Sequence, residues 1–156
     1  MTREKDEKSE RDPAEAPGTQ AVDARIAEQI HRLLIGSPVS RALGIELHGL
    51  EIDRAVLVLP FKPENVTVED IVHGGVIAAL IDVAGVAAAL SGASSETLGG
   101  SATSTLSISY LAPARSVPLR AEAMVLRRGR RQVVVDVSVA AGPLAVAKAL
   151  VTAALF

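Results

Sequence analysis

The stretch VHGGVIAALID, Val72 to Asp82, decides the fold. It opens on a His-Gly-Gly triplet, continues as an aliphatic run, and carries one carboxylate, Asp82, where a buried helix would take leucine. From Gly74 to Ser95 no other residue is charged, a length of apolar sequence that raises a membrane-spanning reading. Three features argue against it. A carboxylate near the centre of a span costs about 3 kcal/mol, the run is rich in Ala and Gly, and no second span follows. A helix apolar on all sides is more simply the central helix of a soluble fold, here expected from about Gly74 to Leu90.

Upstream, Ile26, Ile30, Leu33 and Leu34 recur at helical spacing, which predicts a first helix over Val22 to Leu34 that stops at Gly36 and Pro38. It is expected to pack across a sheet edge or a neighbouring subunit. SPVSRALG then reads as a short turn into two strands, roughly Ile45 to Glu51 and Arg54 to Phe61. Downstream everything reads as strand. TSTLSISYL puts Leu106, Ile108 and Tyr110 on one face, LRAEAMVL puts Leu119, Ala121, Ala123 and Val125 inside, and QVVVDVSVAA sets Val133, Val135, Val137 and Val139 on one face against Val134, Asp136 and Ser138 on the other. A last strand ends at Phe156, and turns near Arg127 to Arg131 and Ala141 to Pro143 make antiparallel hairpins.

One antiparallel sheet of about six strands with a single helix on its face cannot cover a helix that is apolar all round. The uncovered stripe and the sheet edges favour self-association, so at least a homodimer is expected, with a homotetramer built as a dimer of dimers as the alternative.

The 156 residues fit one domain with a real core. Composition is 49% hydrophobic and 22% charged with a net charge of −2, which gives no electrostatic reason to expect nucleic acid. With no Trp, one Tyr and two Phe, stacked bases and aromatic cation cages are not expected either. No Cys is present, which removes disulfides, thiolate catalysis and sulfur-ligated zinc, and makes the cytoplasm the default setting. MTREKDEKSERDPAEAP is charged at ten of seventeen positions and lacks an apolar h-region, so it reads as a disordered tail rather than a secretory signal. The expected organisation is a tail over 1–18, a helix and turn over 19–37, and the main domain over 38–156.

The chemistry starts from the triplet. Free N–H groups at a helix start can hold an oxyanion, aided by the helix dipole, and Gly74 and Gly75 carry no side chain to block close approach. A glycine pair can equally be a packing device. Asp82 has a bland reading too, as a buried carboxylate paired with a base, although no Lys or Arg lies within a turn or two of it. His73 suits a helix cap that orients the Gly74 turn, while His31 and His48 look like surface or packing residues. Asp82 lies nine residues after His73, half a turn out of phase and about 13 Å along the axis. One substrate carbonyl cannot touch both from the same helix. If both ends take part in chemistry, the site is shared between subunits.

HGGVIAALID closely resembles the signature of the phenylacetyl-CoA-type (PaaI-like) acyl-CoA thioesterases, and LSISYLAPAR resembles that family's strand ending in Tyr-Leu-x-Pro-Ala. The resemblance covers about Pro38 to Phe156. It implies the hotdog fold, a curved antiparallel sheet wrapped around one long helix (α+β class), and hydrolysis of an acyl-CoA thioester without metal or redox cofactor. It also implies roles. The Gly74 N–H would help form the oxyanion hole, Asp82 would act as general base or nucleophile, and a strand hydroxyl placed by counting as Thr103 would assist, with Ser104 and Thr105 as rivals. The chain departs from the family pattern at two positions before the triplet, where Thr67 stands for an Asn and Asp70 for a Gly. Thr67 could donate one hydrogen bond in place of the Asn, or Asn65 could reach in.

The cluster RRGRR, Arg127, Arg128, Arg130 and Arg131, suits the phosphates of CoA or a solvated hairpin tip. The alternative to catalysis is a non-catalytic hotdog protein that binds acyl-CoA as a sensor or assembly module. A hotdog dehydratase or hydratase is disfavoured by the His-Gly-Gly pattern.

Overall fold

The computed structural model describes residues 21–156; the tail expected over 1–18 lies outside the described residues. In chain order the elements are α1 (Ala24–Gln29), a π-helical turn (Ile30–Ile35), α2 (Pro38–Leu43), β1 (Glu46–Glu51), β2 (Arg54–Leu59), a 3-10 turn (Pro63–Asn65), α3 (Gly74–Ser91), β3 (Ser101–Tyr110), β4 (Leu119–Arg128), β5 (Gln132–Ala141) and β6 (Leu144–Leu155). The strands form one sheet in the order β1-β2-β4-β5-β6-β3, and every pairing is antiparallel. This is the hotdog arrangement. The domain boundaries expected before residue 38 are physically less separate than the sequence suggests, because Ile26 and Ile30 are fully buried in the same core as α3.

The valine alternation holds along β5: Val133, Val135, Val137 and Val139 are all buried, while Val134, Asp136 and Ser138 are only partly covered. Leu119, Ala121 and Ala123 of β4 and Val151 and Ala153 of β6 extend that inner face across the sheet. Each such aliphatic side chain removed from water stabilises the fold by about 1.5–3 kcal/mol, with Ala contributing less and permitting closer approach.

Against this face lies α3. Long and apolar enough to cross a membrane by composition alone, it is instead the axis of the core, buried from Ala84 to Ser91 on every side. Gly85 is required by the packing distance, since a Cβ there would meet the Val151 side chain at 2.8 Å. The first half of α3 differs. Gly75, Ala78, Ala79, Asp82 and Val83 form a stripe that this chain leaves partly open.

Two local expectations are corrected. SPVSRALG is not a turn but α2: the Ser37 side chain accepts from the Ser40 N–H at 3.2 Å, Pro38 occupies the first turn, and Gly44 ends the helix at φ 80. These are standard helix start and stop signals. The first helix does not stay α-helical to Leu34 but widens after Gln29, and the Gly36 N–H donates to His31 O, five residues back, at 2.8 Å. It packs on α3 and, through the π-helical turn, on β1, an edge strand of the sheet.

Candidate active site

The start of α3 is built by its flanks. The His73 N–H donates to Asn65 O at 2.8 Å and the Val72 N–H to Ala114 O at 2.9 Å, so the chain enters the helix stitched to two loops. The His73 side chain caps the helix, its Nδ1 accepting from the Gly75 N–H at 2.8 Å; this assigns the remaining ring proton to Nε2 in the neutral side chain. His73 O accepts from the N–H groups of Val76 and Ile77 at 2.9 and 3.1 Å, which fixes the His73–Gly74 peptide plane. The N–H of Gly74, in that plane, has no partner among the described residues. Unspent donors at a helix start carry the positive end of the helix dipole.

A residue not singled out in the sequence completes this turn. The hydroxyl of Tyr110, at the end of β3, donates to Gly74 O at 2.8 Å, and its ring lies over the glycine, within 3.5 Å of where a Cβ would stand. The signal was available in SYLAPAR, which placed Tyr110 on the same face as Ile108. Thr67, Ile71, Gly74, Ile77, Tyr110 and Leu111 share a surface cleft of about 350 Å³. Thr67 is exposed there, and its N–H is committed to Ile71 O at 2.9 Å. Asn65 is elsewhere: its amide is buried and donates to Leu43 O at 3.3 Å.

Asp70, the second departure, serves the loop itself. Its carboxylate accepts from the Ser116 hydroxyl at 2.9 Å and from Arg115 at 2.7 Å. The Ser116 hydrogen bond and then the Arg115 guanidinium hold its pKa below the usual carboxylate range. The pair ties the 66–72 loop to the segment after β3.

Asp82 sits mid-helix and half-buried, and the Thr103 hydroxyl of β3 donates to its Oδ1 at 2.5 Å. Oδ2 has no hydrogen bond, and no cation pairs with the carboxylate, among the described residues. Of the three strand hydroxyls, Ser104 turns away to Thr152 O at 3.0 Å, at a bulge in β3 between Thr103 and Thr105. Gly74 and Asp82 are eight helical residues apart, about 12 Å along the axis, so within one chain a single carbonyl cannot reach both.

The arginines lie at the other end of α3. Arg128 is committed: its guanidinium donates to Asp53 Oδ1 through Nε at 2.8 Å and an Nη at 2.5 Å, and reaches Ala88 O at 3.4 Å. Arg127, Arg130 and Arg131 make no ion pair among the described residues and border a groove of about 580 Å³ beside Phe156. Within one chain they are separated from Gly74 by the length of α3, 18 residues, or about 27 Å.

The fold and the placing of Gly74 and Asp82 define a class, a hotdog protein with a carboxylate on its central helix. The profile of the thioesterase superfamily matches residues 69–147. Two Saccharolobus solfataricus proteins named as candidate esterases are similar: one is 32% identical over 99 residues, spanning 64% of this chain and 69% of its own, the other 30% over 110 residues, spanning 70% and 71%. Among solved structures, a conserved protein of Pseudomonas aeruginosa is 29% identical with TM-score 0.72, covering 80% of this chain and 98% of its own. The Escherichia coli PaaI protein from the phenylacetic acid degradation operon shares the fold at 20% identity and TM-score 0.76, covering 87% and 96%. The chain belongs to the thioesterase superfamily, whose general chemistry is hydrolysis of a thioester.

Proposed function

We propose that this protein hydrolyses an acyl-CoA thioester to the free acid and CoA in a site assembled from two subunits. The observation that carries the reading is the Thr103–Asp82 hydrogen bond, which orients an otherwise unpaired carboxylate on the core helix. A half-buried carboxylate kept for structure alone would ordinarily be paired with a cation, and Asp82 has no such partner among the described residues.

Water attacks the thioester carbon as Asp82 Oδ2 takes its proton; the carbonyl oxygen becomes anionic and is held by the Gly74 N–H of the other subunit. Collapse breaks the C–S bond, and the proton held by Asp82 goes to the departing thiolate. Direct attack by Asp82 would instead give an anhydride that water hydrolyses. Thr103 positions the carboxylate in either case. His73 and Gly75 hold the first turn, and Thr67, facing the same cleft as Gly74, offers a hydroxyl to the carbonyl or water.

The 12 Å between half-sites makes the homodimer a condition of activity, supported by the open stripe on α3 and the unpaired edge of β3. A twofold axis there would set the C-terminal end of one α3 beside the N-terminal end of the other, so that Arg127, Arg130 and Arg131 could meet the CoA phosphates. Arg128 is spent on Asp53. Lack of Cys suits a cytoplasmic setting.

A second reading has the two departures before the triplet in its favour: Asp70 is committed to Arg115 and Ser116 after β3, and Thr67 stands where the family has an Asn. In that reading the protein binds acyl-CoA without turning it over. A panel of short, medium, long and aryl acyl-CoAs, followed by thiol release, separates the two. Turnover by an enforced monomer would overturn the shared site; tight acyl-CoA binding with no thiol release would favour the binding module.

A further inference from the structure

We propose that the N-terminal helical segment walls the far end of the acyl pocket, so that Leu33 and the side chains opposite it set the chain length this protein accepts. The inference rests on Asp82 being the reacting carboxylate.

A cavity of about 300 Å³ lies between that segment and the core, with Gln29 and Leu33 on one side, Leu90 of α3 on another, and Leu98 to Ser101 closing it. Both elements that hold the Thr103–Asp82 pair lead to it. Leu90 is eight residues beyond Asp82, about 12 Å along α3, with Val86 and Ala89 on the intervening face. Ser101 is two residues before Thr103 on the same face of β3, about 7 Å away. A thioester carbonyl at Asp82 would therefore have the cavity in front of its acyl tail, within reach of a medium-length chain and beyond reach of an acetyl group.

The lining fits an apolar occupant. Three leucines line the cavity, and the N–H groups of Gly99 and Gly100 are already donated to Phe156 O at 2.6 and 2.5 Å, so they ask for no polar ligand. The wall is also held in place. Ile26 and Ile30 anchor it with no exposed surface, and Asp23, which caps α1, accepts from the Ser95 hydroxyl at 2.6 Å on the loop across the cavity. From the last of those anchors, Ile30, the backbone widens into the π-helical turn, a distortion that recurs at functional sites, and Leu33 stands out of the core at its rim, 57% exposed. The segment lies outside the residues the superfamily profile matches, so it can differ without altering the half-sites.

The test measures kcat/KM on the full chain for acetyl-, hexanoyl- and decanoyl-CoA. Leu33→Trp narrows the cavity mouth and is expected to lower the decanoyl-to-acetyl ratio at least about tenfold, the scale of one methylene's discrimination in an apolar pocket. Leu33→Ala is expected to raise the ratio; Leu33→Phe replaces the Trp variant if that does not fold. Asp82→Asn is run beside them. Thiol release retained in Asp82→Asn overturns the assignment of Asp82 and the pocket with it. Release lost there, with the same chain-length ratio in a folded Leu33→Trp as in the parent, overturns the pocket alone.

Discussion

The two ends of α3 are finished in opposite ways. At the C-terminal end the carbonyls are satisfied from within: Ala88 O accepts from the Ser91 hydroxyl at 2.8 Å and from Arg128, and Leu90 O from the Ala93 N–H at 2.8 Å. Asp53, at a positive φ of 65 in the β1–β2 turn, holds Arg128, and its own N–H donates to Ser91 Oγ at 2.8 Å. At the N-terminal end one donor is used by His73 and the next, on Gly74, is left open beside a cleft. Unmade hydrogen bonds at a helix end have a cost when they face no partner. The closed end is finished with side chains, whereas the end left unspent is the one proposed above to take the oxyanion.

The largest expected effect tests the link between that open end and mid-helix. Asp82→Asn keeps the shape and the Thr103 contact but removes the base, and kcat is expected to fall by about a thousandfold or more. Circular dichroism and sedimentation should be unaltered, since no ion pair is lost. Turnover within a few-fold of the parent would remove Asp82 from the chemistry.

Next comes the open end itself. Tyr110→Phe deletes only the hydroxyl that holds Gly74 O. One hydrogen bond of this kind is worth about 1 kcal/mol, so kcat should drop by about five- to tenfold with KM little affected if, as proposed, the Gly74 N–H acts on the developing oxyanion more than on the bound ester. A matched rise in KM with steady kcat would place Tyr110 in substrate binding instead.

The closed end should respond in the other currency. Arg128→Ala breaks the bidentate contact to Asp53 and leaves Ala88 O with one partner fewer, and denaturant melts should report about 1–2 kcal/mol of lost stability. Activity of the folded variant is expected to hold. A selective loss of CoA-ester affinity would show that Arg128 also faces substrate.

How much of this was legible follows from the range of the interactions. The sheet and α3 could be read because their signals are local and periodic, as in Val133 to Val139. The helix α2 was also written locally, in Ser37, Pro38 and Gly44, but its six residues are too few to show an apolar period. The π-helical turn has no sequence signature. Thr103 could be proposed by spacing from a resembling motif, yet strand alternation could not have chosen it, since the bulge at Ser104 breaks the parity of the strand. Arg128 and Asp53 are 75 residues apart, and nothing in RRGRR distinguishes the one arginine that is committed from the three that are not.

The smallest effect concerns the loops that frame the open end and the N-terminal wall. Asp70 is held below the ordinary carboxylate pKa by Ser116 and Arg115, and Asp23 by the Ser95 hydroxyl and then the Arg25 N–H. A carboxyl whose folded pKa is depressed binds protons more tightly in the unfolded chain. Its contribution is therefore complete above the unfolded value, about 3.9 for Asp, and is lost as pH falls through the lower folded value. Both groups are partly exposed to solvent, so the effect is a modest shift of the acid limb and not a separate transition. Melting temperature measured from neutrality down to acid pH should show a shallower acid limb in Asp23→Asn and Asp70→Asn than in the parent. Asp70→Asn should also loosen the loop leading to His73, and so lower kcat slightly where Asp23→Asn does not. Equal loss of turnover in both would mean that the two loops report on global stability, and that the open end of α3 owes its rigidity to the core and not to its frame.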